Sequence, residues 1–338
     1  MLLKRLTDAN GLPGFESEVR EIIKEEIKPY VDEMRVDKMG NLVAVKNKNA
    51  TGRHIALSAH MDEDGLCVTQ IDKDGYLKFY SWGVDPRILP AKIVRIGKDR
   101  LAGVIGTKAI HLQKPDERAT ALTAEQLYID IGAESKEEAE KLVEIGEYVA
   151  FDSEFTEFGT KIKAKALDDR AGCYALIEAL KSDYSGKITA VFCTQEEVGL
   201  RGSKIAAFQI HADLVVNLEG TVCADTMGVD PHQTVNVQGN GPSISLIDRA
   251  SVFFAKHRDA MVQVAEKNNI PYQYRRTQGG GTDAASYHDA HGGTPVIGLA
   301  VPCRYIHSPV SIVDKRDLDN FVLLLQKFVF AYGSGEVL

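Results

Sequence analysis

Five apolar runs recur along the chain, and each one stops at a histidine or a carboxylate. Residues 55–57, "IAL", lead into "SAHMDEDG" with His60 and Asp62, and residues 161–167, "KIKAKAL", lead into Asp168 and Asp169. Residues 188–193, "ITAVFC", lead into "TQEEVGLRG" with Glu196 and Glu197; residues 212–218, "ADLVVNL", into Glu219; and residues 294–303, "TPVIGLAVPC", into "RYIHSP" with His307. Between these runs lie helical patterns: "RAGCYALIEALKS", "ASVFFAKHRDAMVQVAEKNN" and "DLDNFVLLLQKFVFAYG". Nearer the start, "FESEVREIIKEEIKPYV" places Val19, Ile22, Ile23 and Ile27 on one helix face. Strands alternating with helices in this way specify an α/β domain built on a largely parallel sheet.

The alternation breaks off between residues 66 and 160, where short β-like runs are punctuated by glycine: "GYLKFYSWG", "AKIVRIG", "LAGVIG", "LYIDIGA" and "GEYVAF". One helix is predicted there, over "SKEEAEKLVEI". The expected organisation is therefore an α/β domain formed by 1–65 and 161–338, interrupted by a β-rich domain over 66–160. A length of 338 residues, 44% of them hydrophobic, suffices for two cores. No segment reaches the roughly 18–20 apolar residues that span a membrane, and no export signal is expected from "MLLKRLTDANG". The five cysteines form an odd set without a C-x-x-C pair, so a reducing cytoplasm fits better than a disulfide framework. A net charge of -8 with scattered Lys and Arg gives no footprint for nucleic acid.

In an open parallel sheet, ligands bind outside the carboxyl ends of the strands. One polar residue after one strand carries no information, because loops are polar. Five strand ends supplying imidazoles and carboxylates to one edge are a different matter, since such groups repel unless a cation compensates them. Imidazole with carboxylate is ordinary ligand chemistry for Zn²⁺, Co²⁺ or Mn²⁺. In "HMD", His60 and Asp62 point to the same side of an extended segment, which casts Asp62 as the carboxylate that orients His60 rather than as a ligand. Asp168, at a strand-to-helix turn, is placed to bridge two metals, and His60, Glu219, Glu197 and His307 then number the four further ligands a dinuclear site needs. Neighbouring side chains in an extended chain diverge, so Glu196 and Glu197 must do different work. Glu197 is expected to hold metal and Glu196 to act as general base for hydrolysis.

Taken together, "SAHMDEDG", "KALDDRAG", "TQEEVGLRG", "LEGTVCAD", "GGGTDAAS" and "CRYIHSPV" resemble the dinuclear metallo-aminopeptidases of the glutamyl aminopeptidase or tetrahedral (TET) peptidase type, metallopeptidase family forty-two, whose members are sometimes mislabelled endoglucanases. The resemblance runs in order along essentially the whole chain. It implies a mixed-sheet, three-layer α/β/α catalytic domain of the zinc-peptidase kind, an inserted PDZ-like β domain used in assembly, and a twelve-subunit tetrahedral particle acting on short peptides. It also implies that His60, Asp168 and Glu219 hold one metal and Asp168, Glu197 and His307 the other, with Glu196 as base and Asp62 as partner of His60. Many relatives carry Asp where this chain has Glu219, or Asn where it has Asp169.

Each residue also has a plainer reading. A lone His60 or His307 is ordinarily a hydrogen-bonded or surface histidine, and "EE" a solvated pair on a helix; the shared strand-end pattern argues against both. Asp169 is expected to cap the following helix, and Asp169 and Asp225 are left out of the ligand set. "QGGGTDAAS", residues 278–286, lacks the ending of a phosphate-binding loop and reads as a substrate-side wall or a tight turn. His111, His288 and His291 have no partner spacing. No G-x-S-x-G elbow supports a serine hydrolase. The competing functions are a co-catalytic metal deacetylase or carboxypeptidase with the same ligands, and a scaffold whose metals are structural. A glycosidase would leave the histidines without a task. The preferred N-terminal residue is not legible.

Overall fold

The computed structural model describes residues 1–276 and 279–338, so Gln278 of the glycine-rich stretch lies outside the described residues. The chain divides into two compact units. The first comprises residues 1–63, 155–306 and 311–338, and the second residues 64–154 and 307–310.

Helices α1 (Leu2–Asp8) and α2 (Ser17–Ile27) open the first unit, followed by strands β1 (Glu33–Val36), β2 (Leu42–Lys46) and β3 (His54–His60). The second unit contains β4 (Gly65–Ile71), β5 (Leu77–Trp82), β6 (Ile93–Ile96), β7 (Leu101–Thr107), β8 (Leu127–Asp130) and β9 (Tyr148–Phe151), closed into a six-stranded barrel in the order β4-β5-β8-β7-β6-β9. Closure removes the exposed edges that short strands otherwise present. Leu66, Val68, Leu77, Val94, Ile129 and Val149 fill the interior. Two short helices, α3 (Pro115–Ala119) and α4 (Lys136–Ala139), accompany the barrel. The helix expected over "SKEEAEKLVEI" is thus cut to one turn: Ser135 caps it, and Ala139 and Val143 turn inward to the barrel core.

The chain then returns to the first unit with β10 (Thr156–Phe158), β11 (Lys161–Ala164), α5 (Leu167–Leu180), β12 (Lys187–Cys193), α6 (Arg201–Gln209) and β13 (Leu214–Val222). It ends with β14 (Ser243–Ser245), α7 (Ala255–Lys267), β15 (Gln273–Arg275), α8 (Ala284–His288), β16 (Val296–Arg304), β17 (Ser311–Asp314) and α9 (Lys315–Gly333). The large sheet runs β1-β2-β12-β3-β13-β16-β17-β11-β10, with β14 pairing β15 and β16. Its centre, β12-β3-β13-β16, is parallel throughout, and the flanking pairs are antiparallel. The fold is therefore a mixed α/β sheet.

Period-two alternation sorts the strand side chains between the faces. Leu42, Ala44, Ile55, Leu57, Ala59, Val216 and Leu218 face the larger core, with Leu3, Val19, Leu176, Met261 and Phe321 from α1, α2, α5, α7 and α9. Val43, Ala56, Val191, Cys193 and Val215 face the opposite core, with Ala206, Ala207, Ala284 and Tyr287 from α6 and α8. Ser58 and His60 continue the Ala56 row, and Asn217 and Glu219 continue the Val215 row. The polar residues thus enter on the smaller of the two faces, at the carboxyl end of the parallel strands. Helix α7 begins at Ala255 rather than Ala250, because the bulky residues ahead of it take other work: Val252 bridges to Ile247 and Phe253 is buried in the second core.

Candidate metal centre

Strands β3 and β12 pair in register so that His60 lies beside Cys193, which brings the loops after both strands to one place. The His60 side chain is 1% exposed. Its Nδ1 meets the main-chain carbonyl of Asp62 at 3.1 Å, while the Asp62 carboxylate stands off at 3.5 Å. A carbonyl only accepts, so Nδ1 carries a proton and Nε2 is the nitrogen left to meet a ligand. The spacing of "HMD" predicts an imidazole–carboxylate bond; the carbonyl of the same residue makes it instead, because the Asp62 carboxylate is engaged elsewhere. Its Oδ1 accepts the Glu196 N–H at 2.9 Å and its Oδ2 the Glu197 N–H at 3.1 Å.

His60 Nε2 faces Asp168 Oδ1 at 3.4 Å and Glu219 Oε2 at 3.6 Å. These separations are long for hydrogen bonds. They match the about 3.3–3.4 Å between neighbouring ligand atoms when each lies 2.0–2.1 Å from a tetrahedral cation. Glu197 contributes a further oxygen, within 4.8 Å of ligand atoms of His60 and Asp168. Glu219 sits inside β13 rather than after it, since the parallel pairing with β16 continues through Val222. Its Oε1 accepts the Asn217 side-chain N–H at 2.9 Å. Gly220 allows Asp168 to come close: its N–H donates to Asp168 Oδ1 at 3.3 Å, and a Cβ there would lie 2.9 Å from the Asp168 Cα.

Asp169 also comes within reach of His60 and Glu219, but its oxygens are taken. Oδ1 accepts the Gly172 N–H at 2.9 Å, capping α5, and Oδ2 accepts the His60 N–H at 3.2 Å. Asp225 is bound away from the group in a bidentate pair with Arg304, at 2.7 Å from both Nε and Nη2. In the second unit, His307 Nδ1 lies 2.8 Å from Asp64 Oδ2, with the His307 side chain 46% exposed.

The electrostatics of this group bear on whether a cation suits it. Burial raises the carboxyl of Glu219 to about 8; the His60 charge opposes this, and Asp168 and Asp283 add to it. Glu196, partly exposed yet hemmed in by protein, is likewise pushed well above the usual carboxylate range by burial, against His60 and with Glu219, Asp283 and Glu197. Burial disfavours a charged His60, but Asp168, Asp62, Glu196 and Glu219 outweigh it and raise the imidazole. Acids driven toward their neutral forms around a single imidazole are what a divalent cation would relieve. Among the described residues, Asn217 Oδ1 and both oxygens of the fully buried Asp283 have no hydrogen-bond partner, so uncompensated acceptors remain near the cluster. The residues present fit a divalent metal.

Three groups at or near these residues are given no role by the sequence. Glu16, 3% exposed, accepts the Gln195 N–H at 3.2 Å; burial and the Asp62 charge raise its carboxyl to about 7. Asp64 is the partner of His307, and Asp283 lies against the thiol of Cys193 and the hydroxyl of Ser203. Of these, Asp64 and Asp283 fall in stretches the sequence singles out, "SAHMDEDG" and "GGGTDAAS", without a role of their own there. The glycine-rich turn beside it is tied down: Gly280 O accepts the Arg249 N–H at 2.9 Å, and Thr282 Oγ1 donates to Asp248 Oδ2 at 3.0 Å. Cys173, Cys193, Cys223 and Cys303 are buried, and burial raises each thiol, the reverse of what a thiolate nucleophile requires. His288 Nε2 donates to the Val252 carbonyl at 2.9 Å, and His291 stacks on His211 at 3.7 Å.

A parallel-centred sheet with histidine and carboxylates gathered at its carboxyl edge belongs to the class of α/β hydrolases that act through bound metal. The model of the M42 glutamyl aminopeptidase family matches residues 40–324, and the chain belongs to that family. It is an aminopeptidase, a hydrolase of peptide bonds. A protein of Acetivibrio thermocellus is 40% identical over 327 residues, covering 96% of each chain. The lysyl aminopeptidase of Pyrococcus furiosus is 32% identical over 96% of this chain and 94% of its own, and the glutamyl aminopeptidase of Lactococcus lactis 28% identical over 99% and 97%. Among solved structures, a TET aminopeptidase from a marine sediment archaeon of the Thaumarchaeota superposes with a TM-score of 0.94 at 32% identity, covering 99% of this chain and 97% of that one. The Pyrococcus horikoshii TET1 peptidase, which assembles into a tetrahedron or a large octahedral shell, superposes with a TM-score of 0.86 at 34% identity, covering 97% and 98%.

Proposed function

We propose that this aminopeptidase removes N-terminal residues from short peptides with two divalent cations per subunit, Zn²⁺ or Co²⁺, with Mn²⁺ as a further candidate. His60, Asp168 and Glu219 would hold one cation, and Asp168, Glu197 and His307 the other. The observation that carries this reading is the spacing around His60 Nε2, with Asp168 at 3.4 Å and Glu219 at 3.6 Å in a buried setting. When bound, such cations supply Lewis acidity toward the scissile carbonyl and lower the pKa of the attacking water.

The chain's own residues do the rest. Glu196 takes the proton from the attacking water on its carboxylate and returns it to the leaving amine, so that the amine departs neutral. Asp62 holds the main-chain N–H groups of Glu196 and Glu197 and keeps the base and its neighbour in fixed relation. The Asp62 carbonyl, through His60 Nδ1, fixes the tautomer that aims Nε2 toward Asp168 and Glu219. In this reading the β-rich segment over 66–160, PDZ-like in the family's manner, serves assembly. The subunits form a homo-oligomer, as the shell-forming Pyrococcus horikoshii relative does, with a tetrahedral dodecamer as the expected form. The compartment is the cytoplasm; among the described residues no helix is long and apolar enough to cross a membrane.

Substitution tests the assignment directly. Glu196→Gln should lower kcat by at least 100-fold with bound metal retained, whereas Glu197→Ala and His307→Ala should lower metal content measured by elemental analysis. Retained turnover in Glu196→Gln would sink the base assignment. Free-amine peptides should be cut and N-acetylated ones spared; the reverse preference would favour a deacetylase. The lysyl and glutamyl preferences of the two named relatives leave the preferred residue to a panel of aminoacyl chromogenic substrates.

A further inference from the structure

Three consecutive backbone N–H groups in the loop after β12 point at two buried carboxylates from elsewhere in the chain. Glu196 and Glu197 donate to Asp62, at 2.9 and 3.1 Å. Gln195 donates to Glu16 Oε1 at 3.2 Å, and the same oxygen accepts the Gly14 N–H at 2.8 Å. Glu16 stands immediately ahead of α2, in a segment far from the loop in sequence, and is 3% exposed. A buried carboxylate turned onto a main-chain N–H this close to the general base calls for a reason.

The backbone supplies one. Gln195 has φ +55°, in the left-handed region that a residue with a Cβ enters only at a steric cost. Such conformations persist where the surroundings over-determine them. Around Gln195 the surroundings do so. Thr194 N–H donates to Asn41 Oδ1 at 2.9 Å, Arg201 N–H to Gln195 O at 3.1 Å, and Gly199 and Leu200 N–H both to Glu196 O at 2.9 Å. Glu16 completes the cage from the remaining side. The left-handed residue stands between the end of β12 and Glu196, so its torsions set the direction in which the Glu196 side chain leaves the backbone. Proton transfer is sensitive to that direction: a misplacement of about 1 Å costs on the order of 100-fold in rate.

We propose that Glu16 is a positioning residue for the general base, its Oε1 holding the Gln195 N–H and so fixing the left-handed turn that aims Glu196. The proposal rests on the reading of Glu196 as base. It makes Glu16 an acceptor by geometry, so an amide oxygen should serve where a methyl cannot.

The test uses the full-length, metal-loaded enzyme, with kcat, KM, bound metal and thermal midpoint measured for each variant. Glu16→Ala should lose about 10- to 100-fold in kcat with KM within about two-fold and metal content unchanged. Glu16→Gln keeps the Oε1 acceptor and should recover most of kcat. Gln195→Gly, introduced into Glu16→Ala, should restore about ten-fold, because glycine enters the left-handed region without a Cβ penalty. Should Glu16→Ala fail to fold, Glu16→Asp keeps the charge and withdraws the oxygen by one methylene, and should show the same kcat loss. Wild-type kcat in both Glu16→Ala and Glu16→Asp overturns the proposal. So does an equal loss in the Gln and Ala variants, or a loss that follows the metal out of the protein. Glu196→Gln, run alongside, separates the two readings. If it retains turnover, the base assignment falls; if it is dead while Glu16→Ala is fully active, only the role of Glu16 falls.

Discussion

Asp62 shows how much a single side chain carries here. It is fully buried, its two carboxylate oxygens each accept one main-chain N–H of consecutive residues, and its carbonyl accepts a hydrogen bond from His60 Nδ1. Asparagine in its place offers one acceptor and turns an NH₂ group toward a second N–H, leaving a buried donor unpaired at a cost of about 1–3 kcal/mol. Asp62→Asn is therefore expected to destabilise the protein by that amount in denaturant unfolding and to lower kcat more than ten-fold with KM little changed. A variant matching the wild type in both measurements would show that the loop does not depend on this carboxylate. Glu16 could not be singled out from sequence for the same reason that Asp62 could be cast only in part. "GFESEVR" looks like the start of an amphipathic helix, which it is, and nothing in the spacing reveals that its first Glu reaches a loop 179 residues away.

At the scale of elements, the strands around the site were legible because apolar β-branched runs and period-two alternation fix both their existence and their faces. Their ends were less so. Strand β13 extends through Glu219 because its pairing with β16 is tertiary, and α4 shrinks because the barrel claims the residues that would continue it. The ties that lock the sheet's far side were invisible for the same reason. Asp314, fully buried, accepts from Lys161 at 2.9 Å and Arg316 at 2.8 Å, joining β11, β17 and α9. Burial works against the charge on Asp314 and on Asp225, but Arg316 with Lys161 in one case, and Arg304 in the other, hold both carboxyls below the usual range. A depressed folded-state pKa contributes stability that is fully present above the unfolded value near 4 and is lost as pH falls through the lower folded one. The thermal midpoint should accordingly be insensitive to these pairs above about pH 5 and fall below about pH 4. Asp314→Asn should cost stability at pH 7 and flatten that acid limb; an unchanged acid limb would assign it to other carboxylates.

Across the whole molecule, the proposed ligand residues His60, Asp168, Glu197 and Glu219 come from four separate stretches of the first unit, after or within β3, β12 and β13 and at the head of α5. A cation that they share links elements whose own contacts already form one core, so its binding free energy adds to folding rather than creating it. With free metal about a thousand-fold above Kd, that contribution is about 4 kcal/mol per site, because the unfolded chain does not assemble the ligands. For a unit of this size each kcal/mol moves the midpoint by roughly 2–4 °C. Chelation should therefore abolish hydrolysis and lower the calorimetric midpoint by about 10 °C or more, and readdition of Zn²⁺ or Co²⁺ should restore both. The two readouts decide different things. Loss of activity alone, with the midpoint unmoved, would mean that the metal is weakly held and acts only on the substrate. A falling midpoint with activity intact would make the buried cluster a structural site and return the search for the catalytic groups to the rest of the sheet edge.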